Sequence, residues 1–153
     1  MKIGGLIEHT NITFYTITSL QDQPGSAAKI LKLFGQAGIN LVYITEGACK
    51  RDMATLAFGV DSEDSQRVDS IIRSNVEVQS LTIIKTENAA MLGVYGPHFR
   101  EKPAIAAIFC TLLGEAKINI LGLSSSISTI SCIIDIRELQ RAKQALLQQF
   151  QLP

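Results

Sequence analysis

The stretch LQDQPGSAAKILKLFGQAGINLVYI, from Leu20 to Ile44, decides how this chain folds, because it occurs twice. Its altered copy is FREKPAIAAIFCTLLGEAKINILGL, from Phe99 to Leu123. With Pro24 laid on Pro103, Ala27 meets Ala106, Ala28 meets Ala107, Gly35 meets Gly114 and Ala37 meets Ala116. Ile39 and Asn40 then meet Ile118 and Asn119. Farther along, TLAFGVD ending at Asp61 matches TISCIID ending at Asp135, and Gln66-Arg67 matches Gln140-Arg141. The register changes only around Gly47 to Asp52, where the first copy has a longer hairpin. Self-similarity of this extent marks a repeated structural unit.

Each copy reads in one order. An apolar, β-rich run (Thr13 to Leu20; Met91 to Tyr95) leads to a helix opened by proline (Pro24 to Ala37; Pro103 to Ala116). Proline suits a first helical turn, where its missing N–H has no partner to lose. In the first helix Ala27, Ile30, Leu31 and Phe34 share one face, and Gly38 supplies a stop. Two strands follow, Leu41 to Gly47 with Met53 to Val60, and Ile120 to Ser126 with Thr129 to Ile136. A more polar helix comes next, Ser62 to Asn75 and Arg137 to Gln149, and a strand near Leu81 to Thr86 closes the first copy. That order is βαββαβ, so the expected fold class is α+β: two ferredoxin-like units with helices on one face of an antiparallel sheet. The second copy lacks its last strand, while KIGGLIE precedes the first. The economical reading sends Ile3 to Ile7 across to complete the second sheet; the other reading is a loose arm. The expected boundaries are 1–9 for the crossing strand, 10–88 for the first unit and 89–153 for the second.

Of the 153 residues, 46% are hydrophobic and 18% charged, with formal net charge zero. Neutrality argues against nucleic acid or an anionic membrane as the main ligand. An RNA-binding sheet also needs aromatics on central strands, and Phe58 is the only one on the third strand of the first unit. Cys49, Cys110 and Cys132 lack metal-ligand spacing, so reduced thiols in a cytoplasmic protein are expected, with Cys110 and Cys132 in core positions. Gly4, Gly5 and Glu8 break the first apolar run, so no signal peptide is read, and no run has the length of a membrane span. His9 and His98 stand apart, no catalytic constellation is visible, and neither metal nor cofactor is expected.

What chemistry there is lies at the mouth of the first helix. A helix N-terminus offers unpaired N–H groups and favours negative charge. Gly25, Ser26 and Ala27 leave the backbone approachable there, with Asp22 nearby. That pair suits an α-amino acid, the carboxylate on backbone N–H and the ammonium on Asp22, with Asn40 as a further polar contact. On spacing alone the plainer reading is preferred: Asp22 shapes the turn or caps the helix. In the second copy Ile105 and Ile108 replace Ser26 and Lys29, so IAAIFCTLL is apolar nearly all round. Such a helix implies a contact beyond its own sheet.

DQPGSAAKILKLFGQAGINL, GPHFREKPAIAAIFCTLLGEAKINI, STISCIIDI and the lead-in GGLIEHTNI together resemble a tandem pair of ACT domains, most closely the regulatory C-terminal half of aspartokinases. The resemblance covers almost the whole chain. It implies a feedback amino acid bound at interfaces between chains and a first strand that crosses into the second unit; the all-apolar helix from Ala104 to Leu113 is what points to a homodimer or higher oligomer. By that resemblance the ligand loop is Asp22, Gln23, Pro24, Gly25, Ser26, Ala27 and Ala28, with Ile39 and Asn40 across from it. Glu46 stands where aspartokinases often carry glutamine, which bears on ligand choice. Pro103-Ala104 replaces the usual Pro-Gly, which puts a second-unit site in doubt. Nothing in these residues corresponds to a kinase half, so a non-enzymatic regulator is expected. Four functions stay open: a free amino-acid sensor, a separate regulatory subunit for a catalytic aspartokinase chain, an interaction module that has lost its ligand, and a small ferredoxin-like enzyme, which needs a clustered acid, base or nucleophile that these residues do not show.

Overall fold

The computed structural model describes residues 1–97 and 99–153. Its elements are β1 (Gly5–Gln21), α1 (Ser26–Gln36), β2 (Leu41–Lys50), β3 (Met53–Asp61), α2 (Ser65–Ser74), α3 (Val76–Gln79), β4 (Ile83–Tyr95), α4 (Ile105–Glu115), β5 (Gly122–Ser125), β6 (Thr129–Asp135) and α5 (Leu139–Leu146). The strands are hydrogen-bonded in the order β2-β3-β1-β4-β6-β5. Two compact units result: Ile12–Glu87, called the first unit, and Met1–Asn11 with Asn88–Pro153, the second.

Two expected strand pairs turn out to be single strands. The N-terminal run and the first strand of the first copy form one 17-residue strand, β1, and the runs near Leu81 and Met91 form one 13-residue strand, β4. No proline or glycine interrupts either junction. Each strand leaves one unit for the other at an asparagine with positive φ, 56° at Asn11 and 55° at Asn88. Asparagine tolerates that left-handed geometry better than most residues.

In the first unit the alternating residues Ala54, Leu56, Phe58 and Val60 of β3 join Tyr15, Ile17 and Leu20 of β1 beneath Ile30 and Phe34 of α1 and Val68 of α2. Phe58 stacks on Tyr15 at 5.2 Å and meets Phe34 at 5.1 Å, so its ring is core rather than a platform for bases. Leu33, not Leu31, packs beside Ile30 and Phe34. The Tyr15 hydroxyl donates to Asp69 Oδ1 at 2.8 Å, and Lys85 pairs with Asp69 at 2.8 Å, tying α2 to the sheet. Burial first, and then the hydrogen bond to Asp69, push the Tyr15 phenol well above its ordinary range. The hydrogen bond to Asp69 raises Lys85 as well.

The second unit repeats the plan with Ala90, Leu92 and Val94 of β4, Ile130, Cys132 and Ile134 of β6, and Phe109 and Leu113 of α4. The N-terminal segment completes it. Ile3 is 4% exposed within this core, its N–H donates to Gln151 O at 2.9 Å, and Gly4 N–H donates to Tyr95 O at 2.6 Å. The Gly4-Gly5 pair is explained by Tyr95: a Cβ on Gly4 would lie 2.6 Å from its ring, and one on Gly5 2.8 Å from its hydroxyl. In α4, Ile105, Phe109, Leu112 and Leu113 are buried, whereas Ala106, Ala107, Thr111 and Gly114 are exposed. The helix therefore buries one face in its own unit and carries small residues outside.

Both main helices end alike. Gly38 at φ 71° and Lys117 at φ 57° hold the left-handed position after α1 and α4. Ile39 N–H then reaches Phe34 O at 3.0 Å, and Ile118 N–H reaches Leu113 O at 2.9 Å. This is the Schellman closure of a helix end. Arg67 donates to Ala37 O, and Arg141 donates to Ala116 O at 2.6 Å, each bringing a cation to the last carbonyls of the neighbouring helix. The repeated arginine of the Gln-Arg pair thus has a physical cause.

Two outcomes follow. Deleting residues 1–8 removes Ile3, worth ~2 kcal/mol in buried area alone, and leaves the β4 edge unpaired. Scanning calorimetry is expected to show a lowered melting temperature, with aggregation; an unchanged value means the segment contributes nothing. The second outcome concerns alkali. Tyr15 and Lys85 both have folded-state pKa values above their unfolded ones, so the stability they lend is present below about pH 10 and lost as pH rises beyond it. Tyr15→Phe should cost about 1.5 kcal/mol at neutral pH and flatten the alkaline decline in urea-melt midpoints.

Candidate functional site

At the end of β1, Gln21 pairs with Met53, and Asp22 N–H donates to Asp52 O at 3.0 Å at the tip of the β2–β3 hairpin. The chain then turns sharply. Gln23 N–H donates to Gln21 O at 3.0 Å, its side-chain amide donates to Gln21 Oε1 at 3.1 Å, and Ser26 N–H donates to Gln23 O at 3.2 Å. Gly25 is the N-cap of α1 at φ 87°, and Lys29 N–H takes its carbonyl at 3.1 Å. Asp22 to Ala28 therefore form one corner, in which the N–H groups of Gly25, Ala27 and Ala28 have no backbone acceptor among the described residues.

The corner corrects two sequence readings. Proline does not open the helix; Pro24 stands before the glycine N-cap, because the left-handed turn has to precede the first helical residue. Nor does Asp22 cap it, since among the described residues its carboxylate has no hydrogen-bond partner. The glycine is there for backbone conformation, not for room: a Cβ on Gly25 would meet nothing within 4 Å. In the second unit Ala104 holds the same left-handed geometry, φ 71° and ψ 9°, so the alanine adds a methyl group without redirecting the chain.

The remaining expected residues lie elsewhere. Ile39 is 5% exposed in the first unit's core, so its side chain is taken up by packing and does not face the corner. Asn40 is exposed just before β2. Leu41 pairs with Val60, while Gln21 pairs with Met53 at the other end of β3. The strand between those pairs spans roughly 23 Å at 3.3 Å per residue. Asn40 and Asp22 thus occupy opposite ends of their unit. Glu46 is exposed on β2 opposite Leu56, roughly 10 Å along β3 from the Asp22 end by the same spacing.

A cleft of about 670 Å³ opens beside α1 within the first unit. Gln23 and Ser26 reach it from the corner, with Lys29, Lys32 and Gln36 along α1, Gln21 and Ser19 from β1, and Asn75, Glu77 and Ser80 from the segment around α3. Leu20, Ile30, Leu33, Val78 and Leu81 give it an apolar floor. Sequence reasoning did not single out this cleft. The legible signal was the run Lys29, Lys32, Gln36, polar residues at helical spacing on the flank of an apolar face. What stayed hidden was α3, which closes the opposite wall.

Among the described residues no group of three or more His, Cys, Asp or Glu side chains is placed to hold a metal. His98 lies outside the described residues. All three cysteines are free: Cys132 buried, Cys110 partly buried against the same core, and Cys49 exposed. Burial, with a smaller effect from Cys110, pushes the Cys132 thiol up to about 12, so it stays protonated. No helix of the described residues is long and apolar enough to cross a membrane.

Two family models, each described as an ACT domain, match the chain, one at residues 14–83 and the other at 92–150. The aspartokinase of Mycolicibacterium smegmatis is 28% identical over 140 residues, 90% of this chain and 33% of that protein. The chain thus spans about a third of the length of the curated relatives it matches. Among solved structures, the ligand-free regulatory subunit of aspartate kinase from Thermus thermophilus superposes with a TM-score of 0.83 at 22% identity, covering 95% of this chain and 97% of that one. Aspartate kinase from Synechocystis reaches 0.88 at 22% identity, over 95% of this chain and 26% of that one. At such identities the likeness is one of fold.

The shared left-handed corner makes opposite predictions for the two units. Gly25→Ala should cost ~1 kcal/mol through backbone strain, with no clash. Ala104→Gly should gain a similar amount. Thermal melts of the two variants are expected to move in opposite directions; movement in the same direction would mean packing, not conformation, governs the position.

Proposed function

Since this chain belongs to the ACT-domain family, carrying two such domains in tandem, we propose that it is a non-catalytic regulatory module that binds an amino acid at the first-unit corner and responds by a change in assembly or partner binding. The observation that carries this reading is the juxtaposition at the corner: backbone N–H groups of Gly25, Ala27 and Ala28 without backbone acceptors among the described residues, close in sequence to an exposed carboxylate, on a left-handed turn. Zwitterion recognition needs a donor set for the carboxylate and an anion for the ammonium. Asp22 is the anion.

The spread of the expected residues bears on assembly. Asn40 and Glu46 lie too far from Asp22 within one unit to close on a single small ligand, so a second copy of the chain would complete the site. A homodimer with two-fold symmetry is the simplest such arrangement. The effector then acts by binding one arrangement more tightly than another. A cytoplasmic setting is part of the same reading. A second reading is favoured by the Thermus thermophilus chain, a regulatory subunit of aspartate kinase matched over nearly its whole length: this module would partner a separate catalytic chain. An interaction module without a ligand is the third.

Thermal shift against the twenty amino acids discriminates among them, since a ligand at a hundred times its Kd adds about 2.7 kcal/mol. With an effector in hand, Asp22→Asn should weaken binding about tenfold in calorimetry and leave the melting temperature unchanged. Glu101→Gln, at the matching position of the second unit, should do much less. If Asp22→Asn lowers stability and leaves the titration untouched, Asp22 is a turn residue and the sensing site lies elsewhere.

A further inference from the structure

We propose that the cleft beside α1 is a separate binding site for a small organic anion with an apolar body, of the class of the aliphatic carboxylates. It shares Gln23 and Ser26 with the corner but involves neither Asp22 nor a second copy of the chain, so it does not rest on the amino-acid reading. Its volume, about 670 Å³, lies within the range of small-molecule sites, ~300–1,000 Å³.

Ser26 supplies the first argument. It is only 9% exposed and lines the cleft, and its hydroxyl, which stays accessible, has no hydrogen-bond partner among the described residues. A hydroxyl that the protein leaves unpaired at the wall of a cleft is open to a ligand's hydrogen-bonding atoms. The internal repeat sharpens the point. The matching residue of α4, Ile105, is an apolar member of the second core. In the first unit the same core-facing position carries a polar group turned into a cavity.

Charge supplies the second. Lys29 and Lys32 line the cleft, and neither has an ion-pair partner among the described residues. Glu77 is the one acidic residue among the lining side chains, so the wall stays net positive. The N-terminal turn of α1 adds to the same sign. At the matching positions α4 has Ile108 and Thr111, so both cations are confined to the first unit. Leu20, Ile30, Leu33, Val78 and Leu81 then ask for an apolar body, which inorganic phosphate lacks.

The test is a titration of the full chain with hexanoate, followed by backbone amide NMR shifts. Saturable shifts are expected at Ser26, Lys29, Val78 and Ser80, with none from hexanamide, the uncharged analogue. The Lys29→Gln/Lys32→Gln double variant should weaken hexanoate about tenfold, and Glu77→Gln should strengthen it severalfold. Asp22→Asn should leave it unchanged, which separates this site from the amino-acid corner. The proposal is overturned if hexanoate gives no saturable shift at the cleft, if hexanamide or inorganic phosphate binds as well, or if the lysine variant binds normally. Weaker hexanoate binding by Glu77→Gln would overturn it too.

Discussion

An unpaired sheet edge is the constraint from which the rest of this structure follows. Asn88–Pro153 supplies β5, β6 and the end of β4, leaving one edge of the second sheet without a partner. Exposed strand edges recruit whatever strand is available, so a stable unit has to cover its own. Here the first residues of the chain do it. That single requirement accounts for the 17-residue length of β1, for Ile3 in a core built mainly by residues far along the chain, and for two adjacent glycines beneath the Tyr95 ring. It also accounts for Asn11 and Asn88, which carry the two long strands from unit to unit through a conformation most side chains resist.

The helix ends are where the units become more than a core. A left-handed residue opens each main helix and another closes it, and an arginine from the following helix reaches the closing carbonyl. Keeping both ends fixed holds the N-terminal N–H groups of α1 in place at the surface. The Asp22 corner is rigid for that reason: its backbone is bonded on one side to the β2–β3 hairpin and on the other to α1 itself. Ordering a loop on binding subtracts from affinity, and a corner ordered beforehand avoids that cost.

Much of the fold could be read before the structure, because repetition is a stronger signal than propensity. Aligning Pro24 with Pro103 gave the element order of both units, the hairpins and the missing last strand. Local pattern could not reveal that β1 and β4 run unbroken: a positive φ at Asn11 or Asn88 leaves no mark on hydrophobic alternation. The burial of Ile39 was hidden for a related reason. The Gly-Ile-Asn run looks like a loop, yet the Schellman closure turns its isoleucine inward. Asp22 to Ala28 share one corner because they are consecutive along a sharp turn, while Asn40, read as a further polar contact, and Glu46, added by resemblance, lie apart from it within the unit. The cleft needed α3, a single turn too short to announce itself in sequence.

The borrowing of an N-terminal strand has a consequence for the order of events during synthesis. Residues Ile12–Glu87 form a contiguous unit and contain every contact of their own core, so that unit can close as soon as it leaves the ribosome. Residues 1–11 emerge earlier but must wait, since Tyr95 and Gln151 are made long afterwards. During that interval the segment MKIGGLIEHTN stays without its strand partners. Its glycine pair and the charges of Lys2 and Glu8 keep it a poor template for strand pairing until its partner arrives. The unit that joins residues 1–11 to residues 88–153 is therefore the one assembled last.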